Sequence, residues 1–525
     1  MPALWSPYCR TWPVATSPAS PMNALSDLIT NFVYIVPPLA LVLVWLGGRF
    51  DAAGRRQLVT GLWLVLAALS MLHYVWPHVR FQRYFNGYEH FHYYLGTKYA
   101  DELGYTGLYV ATVAALDENN ADKGRPPIKI ERARDLETGR HVSPERLRKK
   151  IPEVKERFTA ERWAEYRVDA AFLAERASWG GMVKALDDKG YNASPAWTLA
   201  VGALASRASV PGGGIWFLPW VDVLLWLVAF SVVGRVFGIR PLAVMLVILG
   251  TQLVTDHSHL KAALLRVDWI VCLLLAMAAQ KKQHPLLAGV LVGYASMMRI
   301  FPAVWGYGVG VKLVSELVRH RRIDKDSVLF LVGMAGSMLF LFGSSAAVYG
   351  LDYWREFFDK IIPHASAITA WRIGFRFIFV GLAGLDGWQE FYNSYSTVFY
   401  LICLAILIAC AFVVEKLDRV DAFAFGFFAF FVLMAPTYYY YVAVLVPALW
   451  FGMKLQARWA QVGLTIFFVV AMLMHKLMAI YDRTSVVFIP MSVACLVMLI
   501  VVTVSLRREQ RAVAPPSVEK PKATG

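Results

Sequence analysis

Cysteine is scarce in this chain, and acidic residues are fewer than basic ones. There are 5 cysteines among 525 residues, and 37 Asp and Glu stand against 52 Lys and Arg. Four cysteines lie in apolar stretches and Cys9 lies near the N-terminus, so no disulfide framework is predicted. The first 21 residues lack a basic segment followed by an apolar core, which is not typical of a signal peptide. A translation start at Met1 and one at Met22 both stay open.

Apolar residues, by contrast, make up 58% of the chain. A helix of about 20 apolar residues spans a bilayer core of roughly 30 Å. The sequence contains thirteen apolar stretches, several of them shorter than a full span. It therefore predicts an all-α integral membrane protein with about 13 transmembrane helices. The stretches are 28–47, 58–76, 216–238, 241–255, 266–280, 285–298, 303–318, 327–348, 395–413, 420–435, 437–454, 459–478 and 485–506.

Short basic links between these stretches predict their orientation. Lys and Arg in short loops mark the cytoplasmic side of a membrane protein. All the links fall on one side if the N-terminus lies outside and the C-terminus inside. This arrangement explains the basic excess without a nucleic-acid partner. The links contain Arg49, Arg55, Arg56, Arg235, Arg240, Lys281, Lys282, Arg319, Arg321, Arg322, Lys416, Arg419, Lys454, Arg458, Arg507, Arg508 and Arg511.

The same orientation divides the chain into five regions. We call residues 77–214 the polar insert, and we expect it at the outer face, which is the periplasm if the membrane is the bacterial inner membrane. The regions are an N-terminal tail 1–27, the first two transmembrane helices 28–76, the polar insert 77–214, a transmembrane bundle 215–506 and a disordered cytoplasmic tail 507–525.

The polar insert is large enough to form a small subdomain. In residues 158–186, apolar side chains recur at helical spacing between charged ones, so we expect amphipathic helices lying on the membrane surface. Residues 124–150 predict a short strand or loop and then a helix, with Ser143 as its N-cap and Pro144 in its first turn.

Ionisable residues near membrane depth are costly to bury and indicate functional sites. In the predicted orientation they collect in clusters at the outer ends of helices. The parity of the spans places Arg299 at the outer tip of a hairpin formed by 285–298 and 303–318, and we expect Glu89 on the exposed wall of the same cavity. The candidates are Glu89, His90, His92, Tyr93, Asp256, His257, His259, Arg299, Arg372, Arg376 and Tyr440.

Several of these residues also have a plainer interpretation. Tyr440 and its neighbouring tyrosines are equally typical of an aromatic belt at the membrane interface. Arg299 and Arg376 are compatible with anchors whose charged ends reach the interface. The meeting of one acid, several histidines and several arginines at one face of the bundle favours a functional site.

A metal site is a further alternative. His257 and His259, with Glu89 or Asp256 as the acid, supply ligand types that a divalent cation accepts. A divalent cation therefore stays open as a cofactor, but no residue is assigned as a metal ligand.

Three elements of the sequence form short motifs: Glu89-x3-Tyr93-Tyr94 with Gly104-Tyr105-x2-Leu108-Tyr109, Leu286-Leu287-Ala288-Gly289 through Arg299-Ile300-Phe301-Pro302, and Ala435-Pro436 with Tyr440 and Leu445-Val446-Pro447. These elements resemble glycosyltransferase family 87. More broadly, many spans with a large first outer loop resemble the multi-spanning (GT-C) glycosyltransferases that use polyprenyl-phosphate sugars. The chain departs from the family pattern in having Glu89 for the usual Asp, Arg299 for Lys, and Arg266 within the segment that replaces Gly-Gln-x-Asn.

The resemblance implies transfer of a sugar from a lipid phosphate to a hydroxyl acceptor. Glu89 would be the general base, and three arginines would stabilise the leaving phosphate. The phosphate-binding candidates are Arg299, Arg372 and Arg376, and the substrate contacts are assigned to His90, His92, Tyr93, Asp256, His257, His259 and Tyr440.

The sequence thus predicts a membrane glycosyltransferase for a mannose-like hexose or a pentose. Its partners would be a polyprenyl-phosphate sugar, membrane lipid and an acceptor whose identity stays open. The alternative is a transporter or flippase of a lipid-linked glycan, although such proteins tend to show internal repeats and charges at the bilayer midplane. A non-catalytic membrane subunit would fit the same spans but would leave the charged cluster unexplained.

Overall fold

The computed structural model describes residues 21–80, 84–177, 179–256, 258–369, 371–384, 387–481 and 484–513. Met1, Cys9 and His257 lie outside these ranges, as do residues 514–525 of the tail predicted to be disordered. The described chain is mainly helical, and its strands are one pair of two residues each.

Three helices precede the polar insert, and eight helices with the two strands lie within its described part. The first three are α1 (Pro21–Thr30), α2 (Phe32–Ala52) and α3 (Arg56–Arg80). The elements of the insert are α4 (Gly87–Lys98), α5 (Ala100–Leu103), α6 (Leu108–Ala121), β1 (Ala133–Arg134), β2 (His141–Val142), α7 (Pro144–Arg148), α8 (Ile151–Lys155), α9 (Ala160–Ala177), α10 (Trp179–Asp187) and α11 (Pro195–Arg207).

The rest of the described chain forms the bundle, and every one of the thirteen predicted apolar stretches contains helix. Short 3₁₀ segments join some of these helices at Gly214–Phe217, Ser258–Leu260, Phe301–Gly306 and Tyr438–Val444. The helices are α12 (Leu218–Phe237), α13 (Ile239–Thr251), α14 (Asp268–Lys281), α15 (Pro285–Met298), α16 (Tyr307–His320), α17 (Lys325–Ser366), α18 (Phe375–Gly381), α19 (Trp388–Val414), α20 (Arg419–Ala424), α21 (Gly426–Leu433), α22 (Leu445–Met453), α23 (Arg458–Ile480) and α24 (Thr484–Val513).

The protein is therefore an all-α membrane protein. Among the described residues, seven helices are long and apolar enough to cross a bilayer, and shorter apolar helices lie between them. The count of 13 spans stays a prediction. The seven are Phe32–Ala52, Arg56–Trp76, Gly214–Phe237, Lys325–Ser366, Trp388–Val414, Arg458–Ile480 and Val487–Ala512.

Helix α17 contributes one half to the bundle and the other half to the polar insert. Gly350 within it has φ 83° and ψ 164°, a backbone conformation that glycine adopts without strain, and it separates two helical halves. The first half belongs to the bundle and is largely exposed on its surface. The second half contributes Tyr353, Trp354 and Phe357 to the core of the polar insert.

Glycine brings α15 and α17 into backbone contact. A Cβ atom on Gly289 would overlap the Phe330 carbonyl, and one on Gly333 would overlap the Leu286 carbonyl. Gly293 meets the Met334 carbonyl in the same way. Small residues at such positions allow close helix packing in membranes.

One prediction for this part of the molecule is wrong. Helix α9 is amphipathic as expected, but its buried residues Trp163, Tyr166 and Leu173 face the insert core, where α4 and α6 cover them in place of a membrane surface.

The chain turns back near Arg299. The 3₁₀ segment Phe301–Gly306 joins α15 to α16, and Gln283 before α15 and Arg322 after α16 line the same cavity. The position of this turn at the outer face stays a prediction.

The prediction for residues 124–150 is confirmed. The strands β1 and β2 pair antiparallel, with Ala133 opposite Val142. Ser143 is extended and Pro144 is the first residue of α7, where proline needs no intrahelical donor.

Candidate functional site

Helix α4 positions Glu89 in its first turn. Asn86 caps the helix, and its side-chain oxygen accepts a hydrogen bond from the Glu89 amide at 3.2 Å. The Glu89 side chain is nevertheless buried, with the residue only 2% exposed. The expectation of an exposed cavity wall is therefore wrong, because the segment before α14 covers this carboxylate.

Two side chains from that segment hold Glu89. His259 contacts Oε1 through Nδ1, and the Arg266 Nε lies 3.1 Å from Oε2. Burial alone would raise the pKa of Glu89, but the charge of Arg266 and then the contact with His259 outweigh it and lower the pKa to about 2. The carboxylate is thus ionised, and it joins the polar insert to the bundle.

Arg266 is itself held firmly in place. It is 3% exposed in its side chain, and its backbone N–H donates to both oxygens of Asp222 in α12, at 3.1 and 3.0 Å. Its Nε also approaches the His259 carbonyl at 3.4 Å. The sequence prediction did not assign Arg266 to the site, although its position directly before an apolar stretch was a signal.

Aromatic rings surround this ion pair. The Arg266 guanidinium lies 4.3 Å from the Tyr93 ring centroid and 5.8 Å from that of Tyr439. The Tyr439 ring is 5.2 Å from His259 and 4.5 Å from Tyr440. The structure thus brings the predicted residues Glu89, Tyr93, His259 and Tyr440 into one neighbourhood.

The other two histidines of α4 lie inside the insert. The His90 Nδ1 contacts the Asn86 carbonyl at 2.8 Å and the ring stacks on Phe85, and burial lowers the pKa of His90 to about 4. His92 uses Nδ1 on the Tyr88 carbonyl at 3.0 Å and Nε2 on the Tyr109 hydroxyl at 3.0 Å. These contacts assign both imidazoles to packing of the insert.

Asp256 has a partner other than the residues that contact Glu89. It pairs with Lys261, whose Nζ donates to the Tyr74 carbonyl at 2.9 Å and lies 4.0 Å from the Tyr74 ring centroid. His257 lies outside the described residues. Within the described ranges, no group of three or more His, Cys, Asp or Glu is arranged to hold a metal ion.

Arg299 is buried at the end of α15, with 9% of its surface exposed. Its Nη1 donates to the Met298 carbonyl at 2.8 Å, while Nε and Nη2 have no hydrogen-bond partner in the described part of the chain. Burial raises the pKa of Tyr93 to about 12, and Arg266 and Arg299 both act against this shift. The charge of Arg299 therefore reaches the aromatic wall of the Glu89 site.

Arg372 is fixed beside the tyrosine run. Its Nη1 donates to the Ala435 carbonyl at 2.7 Å and its Nη2 to the His364 carbonyl at 2.5 Å, while the Tyr438 amide donates to the Trp371 carbonyl at 2.8 Å. Burial, and then the charge of Arg376, lower the pKa of Arg372 to about 10. Only Nε of Arg372 has no hydrogen-bond partner within the described residues.

Arg376 lies one helical turn further, in α18. It stacks over the Tyr392 ring at 4.7 Å from the centroid, and its Nη1 donates to the Ala365 carbonyl at 3.3 Å. These contacts hold it on the loop after α17, so its place at the Glu89 site stays a prediction.

A chain of polar contacts, which the sequence prediction missed, connects helix α4 with Arg372. The Tyr88 hydroxyl donates to Asp188 at 2.8 Å, and the Lys189 Nζ contacts the His364 Nδ1 at 2.9 Å. Because Asp188 and Lys189 are neighbours and His364 also accepts from Arg372, these residues lead from α4 to Arg372. Only the adjacent opposite charges at 188 and 189 hinted at this role.

Comparison with known proteins found no matching family model, no curated relative and no similar solved structure. The site must therefore be judged on its chemistry. A buried carboxylate between an imidazole and a guanidinium, lined with aromatic rings, can accept a proton and contact a sugar ring.

Proposed function

We propose that this chain is a membrane glycosyltransferase. It would move a mannose-like hexose or a pentose from a polyprenyl-phosphate donor to a lipid, glycan or protein acceptor. The observation that supports this proposal is the buried contact of Glu89 with His259 and Arg266 under an aromatic wall, where α4 of the insert meets the bundle. A lipid-linked donor suits a site at the end of membrane helices.

In the proposed reaction, an acceptor hydroxyl attacks the anomeric carbon of the donor. The bond between that carbon and the phosphate oxygen breaks, and the phosphate leaves with the electron pair. The hydroxyl proton passes to the Glu89–His259 pair. A carboxylate with a pKa near 2 is a weak base on its own, so His259 shares the role: Nδ1 faces Glu89, and the carboxylate stabilises the imidazolium that forms.

Arg299 is the strongest candidate for holding the phosphate. Its Nε and Nη2 are buried and have no hydrogen-bond partner in the described chain, and a guanidinium can bind phosphate through two parallel hydrogen bonds. Arg372 has already committed both terminal nitrogens to backbone carbonyls. It would add charge to the site, with Arg376 behind it.

The membrane orientation is part of the proposal. The polar insert would lie outside, in the periplasm of a bacterium, with thirteen spans and an inner C-terminus. The basic links supply this orientation. Cysteine labelling at positions 130 and 510 tests it, because position 130 should react in intact cells and position 510 only after permeabilisation.

The function is tested by measuring sugar transfer from a purified polyprenyl-phosphate sugar in proteoliposomes. Arg299→Lys should reduce turnover about tenfold, because lysine keeps the charge but loses the paired hydrogen bonds, and Arg299→Ala should reduce it further. Arg207→Ala is the matched control, since Arg207 is an exposed cation of the insert.

Unchanged turnover in Arg299→Ala, or a loss that only follows a lower melting temperature, would remove Arg299 from the site. Movement of the donor across the membrane without transfer would instead support a flippase.

A further inference from the structure

A cavity lies at the opposite end of the bundle from Glu89. Helix α14 begins two residues after Arg266 and ends at Lys281, which places its two ends about 21 Å apart. Near Lys281 the structure has a cavity of about 710 Å³. Its walls are the α14–α15 link, α16, the start of α17 and the α19–α20 link.

Most acids of this cavity are already engaged with cations. Glu415 accepts from Arg319 at 2.7 Å and from the Ser315 hydroxyl at 3.1 Å. Asp324 pairs with Arg419 at 2.7 Å. These contacts hold the walls together and leave little negative charge facing the cavity.

Four cations of the same cavity make no ion pair with an acid in the described residues: Lys281, Lys312, Arg322 and Lys325. Lys312 reaches only the backbone carbonyl of Glu415, at 3.4 Å. Glu316 is the one acid of the described lining that is likewise without an ion pair. The cavity therefore carries an excess of positive charge, which favours an anion.

An apolar surface continues from the cavity. Ile323 lines it and is 66% exposed, and the face of α17 that begins at the lining residue Lys325 exposes Leu329 and Val332, four and seven residues further along the helix. A small soluble anion would leave these side chains uncovered. A molecule with one anionic end and apolar chains would occupy both surfaces.

We propose that this cavity binds the headgroup of an anionic phospholipid. The phosphate would lie among Lys281, Lys312, Arg322 and Lys325, and the acyl chains would run along the exposed face of α17 that contains Leu329 and Val332. This site is separate from the Glu89 site and does not depend on the proposed enzymatic function.

The test uses the purified full-length protein in detergent, titrated with phosphatidylglycerol, phosphatidylcholine or inorganic phosphate. The readout is the melting temperature as a function of ligand concentration. Phosphatidylglycerol should raise it at the lowest concentration, and inorganic phosphate should have little effect. Equal effects of both phospholipids, or a phosphate effect as strong as that of phosphatidylglycerol, would overturn the proposal in favour of an unspecific lipid or a free anion.

The variant Lys312→Gln/Arg322→Gln should bind phosphatidylglycerol about thirtyfold more weakly, since two cations near a membrane surface are lost. Arg507→Gln/Arg508→Gln is the matched control, because it removes two exposed cations of α24 that do not line the cavity. If the first variant does not fold, the single change Lys325→Gln should still weaken binding about fivefold. Equal weakening in the control, or none in the cavity variants, would refute the site.

Discussion

Helix α4 carries a buried charge at each of its ends, and the two ends differ in their partners. At the N-terminal end, Glu89 pairs with His259 and Arg266, which belong to the segment before α14. At the C-terminal end, Lys98 pairs with Glu165 at 2.8 Å and Asp169 at 2.7 Å, both from α9 within the same insert.

The two pairs also differ in access. Asp169 has no exposed side-chain surface and also accepts hydrogen bonds from Tyr94 and Tyr99, so this end is sealed by the insert core. The His259 side chain is 27% exposed. Similar burial of the two carboxylates thus does not mean similar access: the charge of Asp169 is closed off by the insert core, whereas Glu89 is in contact with a partly exposed histidine.

The largest expected difference is in activity. Glu89→Gln should reduce sugar transfer per folded molecule by about two to four orders of magnitude, the range typical of a lost general base. Asp169→Asn, at the sealed end, should leave that rate unchanged while lowering the melting temperature. Transfer from the polyprenyl-phosphate donor, normalised to the monodisperse fraction, measures both. An equal loss in the two variants would abolish the distinction between the ends.

Burial of Glu89 changes how its variant must be read. In Glu89→Gln, Arg266 would stay buried without the carboxylate that neutralises it, and such a loss typically lowers the free energy of unfolding by about 3–5 kcal/mol. The double variant Glu89→Gln/Arg266→Gln should recover much of the melting temperature but none of the activity. Recovered transfer would exclude Glu89 from the mechanism.

The sealed end should show its effect in stability. Lys98→Met should lower the free energy of unfolding by about 3–5 kcal/mol, because Asp169 then stays buried without its cation. Adding Asp169→Leu should recover more than half of this loss, since an apolar pair leaves no buried charge. Denaturant titration of both variants checks the prediction, and an unchanged midpoint in Lys98→Met would contradict it.

Low pH should weaken the contact of Glu89 with Arg266 and His259 at the N-terminal end of α4. The pKa of Glu89 in the folded protein is about 2, below the usual carboxyl value of about 4.3 in an unfolded chain. The contact of Glu89 with Arg266 and His259 therefore stabilises the fold fully above about pH 4.3. This stabilisation is lost as the pH falls from about 4.3 toward 2. The melting temperature of the wild type should fall over this window more than that of Glu89→Gln/Arg266→Gln. Parallel curves for the two proteins would argue against the pair.

The smallest expected effect comes from an exposed ion pair of the insert. Arg157 and Glu153 approach to 2.8 Å, but both side chains are largely in solvent. Arg157→Gln should change the free energy of unfolding by less than about 0.5 kcal/mol, because such pairs are weak in water. It supplies the baseline for the other variants in the same denaturant titration.

The helices could be predicted from the sequence because long apolar stretches leave few alternatives in a membrane protein. What covers the apolar face of an amphipathic helix could not be predicted. The apolar spacing around Trp163 and Tyr166 is the same whether lipid or protein covers it, and the choice depends on α4 and α6, which lie far away in sequence.

The site shows the same limit. The convergence of Glu89 and His259 was predicted from where charged residues fall relative to the spans. The role of Arg266 was missed, since its position at the start of an apolar stretch indicates the end of the span where it lies but not the carboxylate with which it pairs. Asp256 pairs with a lysine five residues later, Lys261, so its assignment as a substrate contact stays a prediction.

One sequence element that resembles glycosyltransferase family 87 has a structural explanation in this protein. Gly289 and Gly293 allow α15 to contact the backbone of α17. Any membrane protein with this close packing would favour glycine there. The Leu-Ala-Gly element is therefore weaker support for glycosyl transfer than the buried contacts of Glu89.

The bend of α17 at Gly350 imposes an order on biosynthesis. The core of the polar insert requires Tyr353, Trp354 and Phe357, yet the insert itself ends before Leu218. A ribosome adding about 5–20 residues per second needs roughly 7–28 s to make the intervening stretch of about 140 residues. During that interval the nascent insert lacks one wall of its core, so a chaperone that shields apolar surface would act most usefully before α17 emerges.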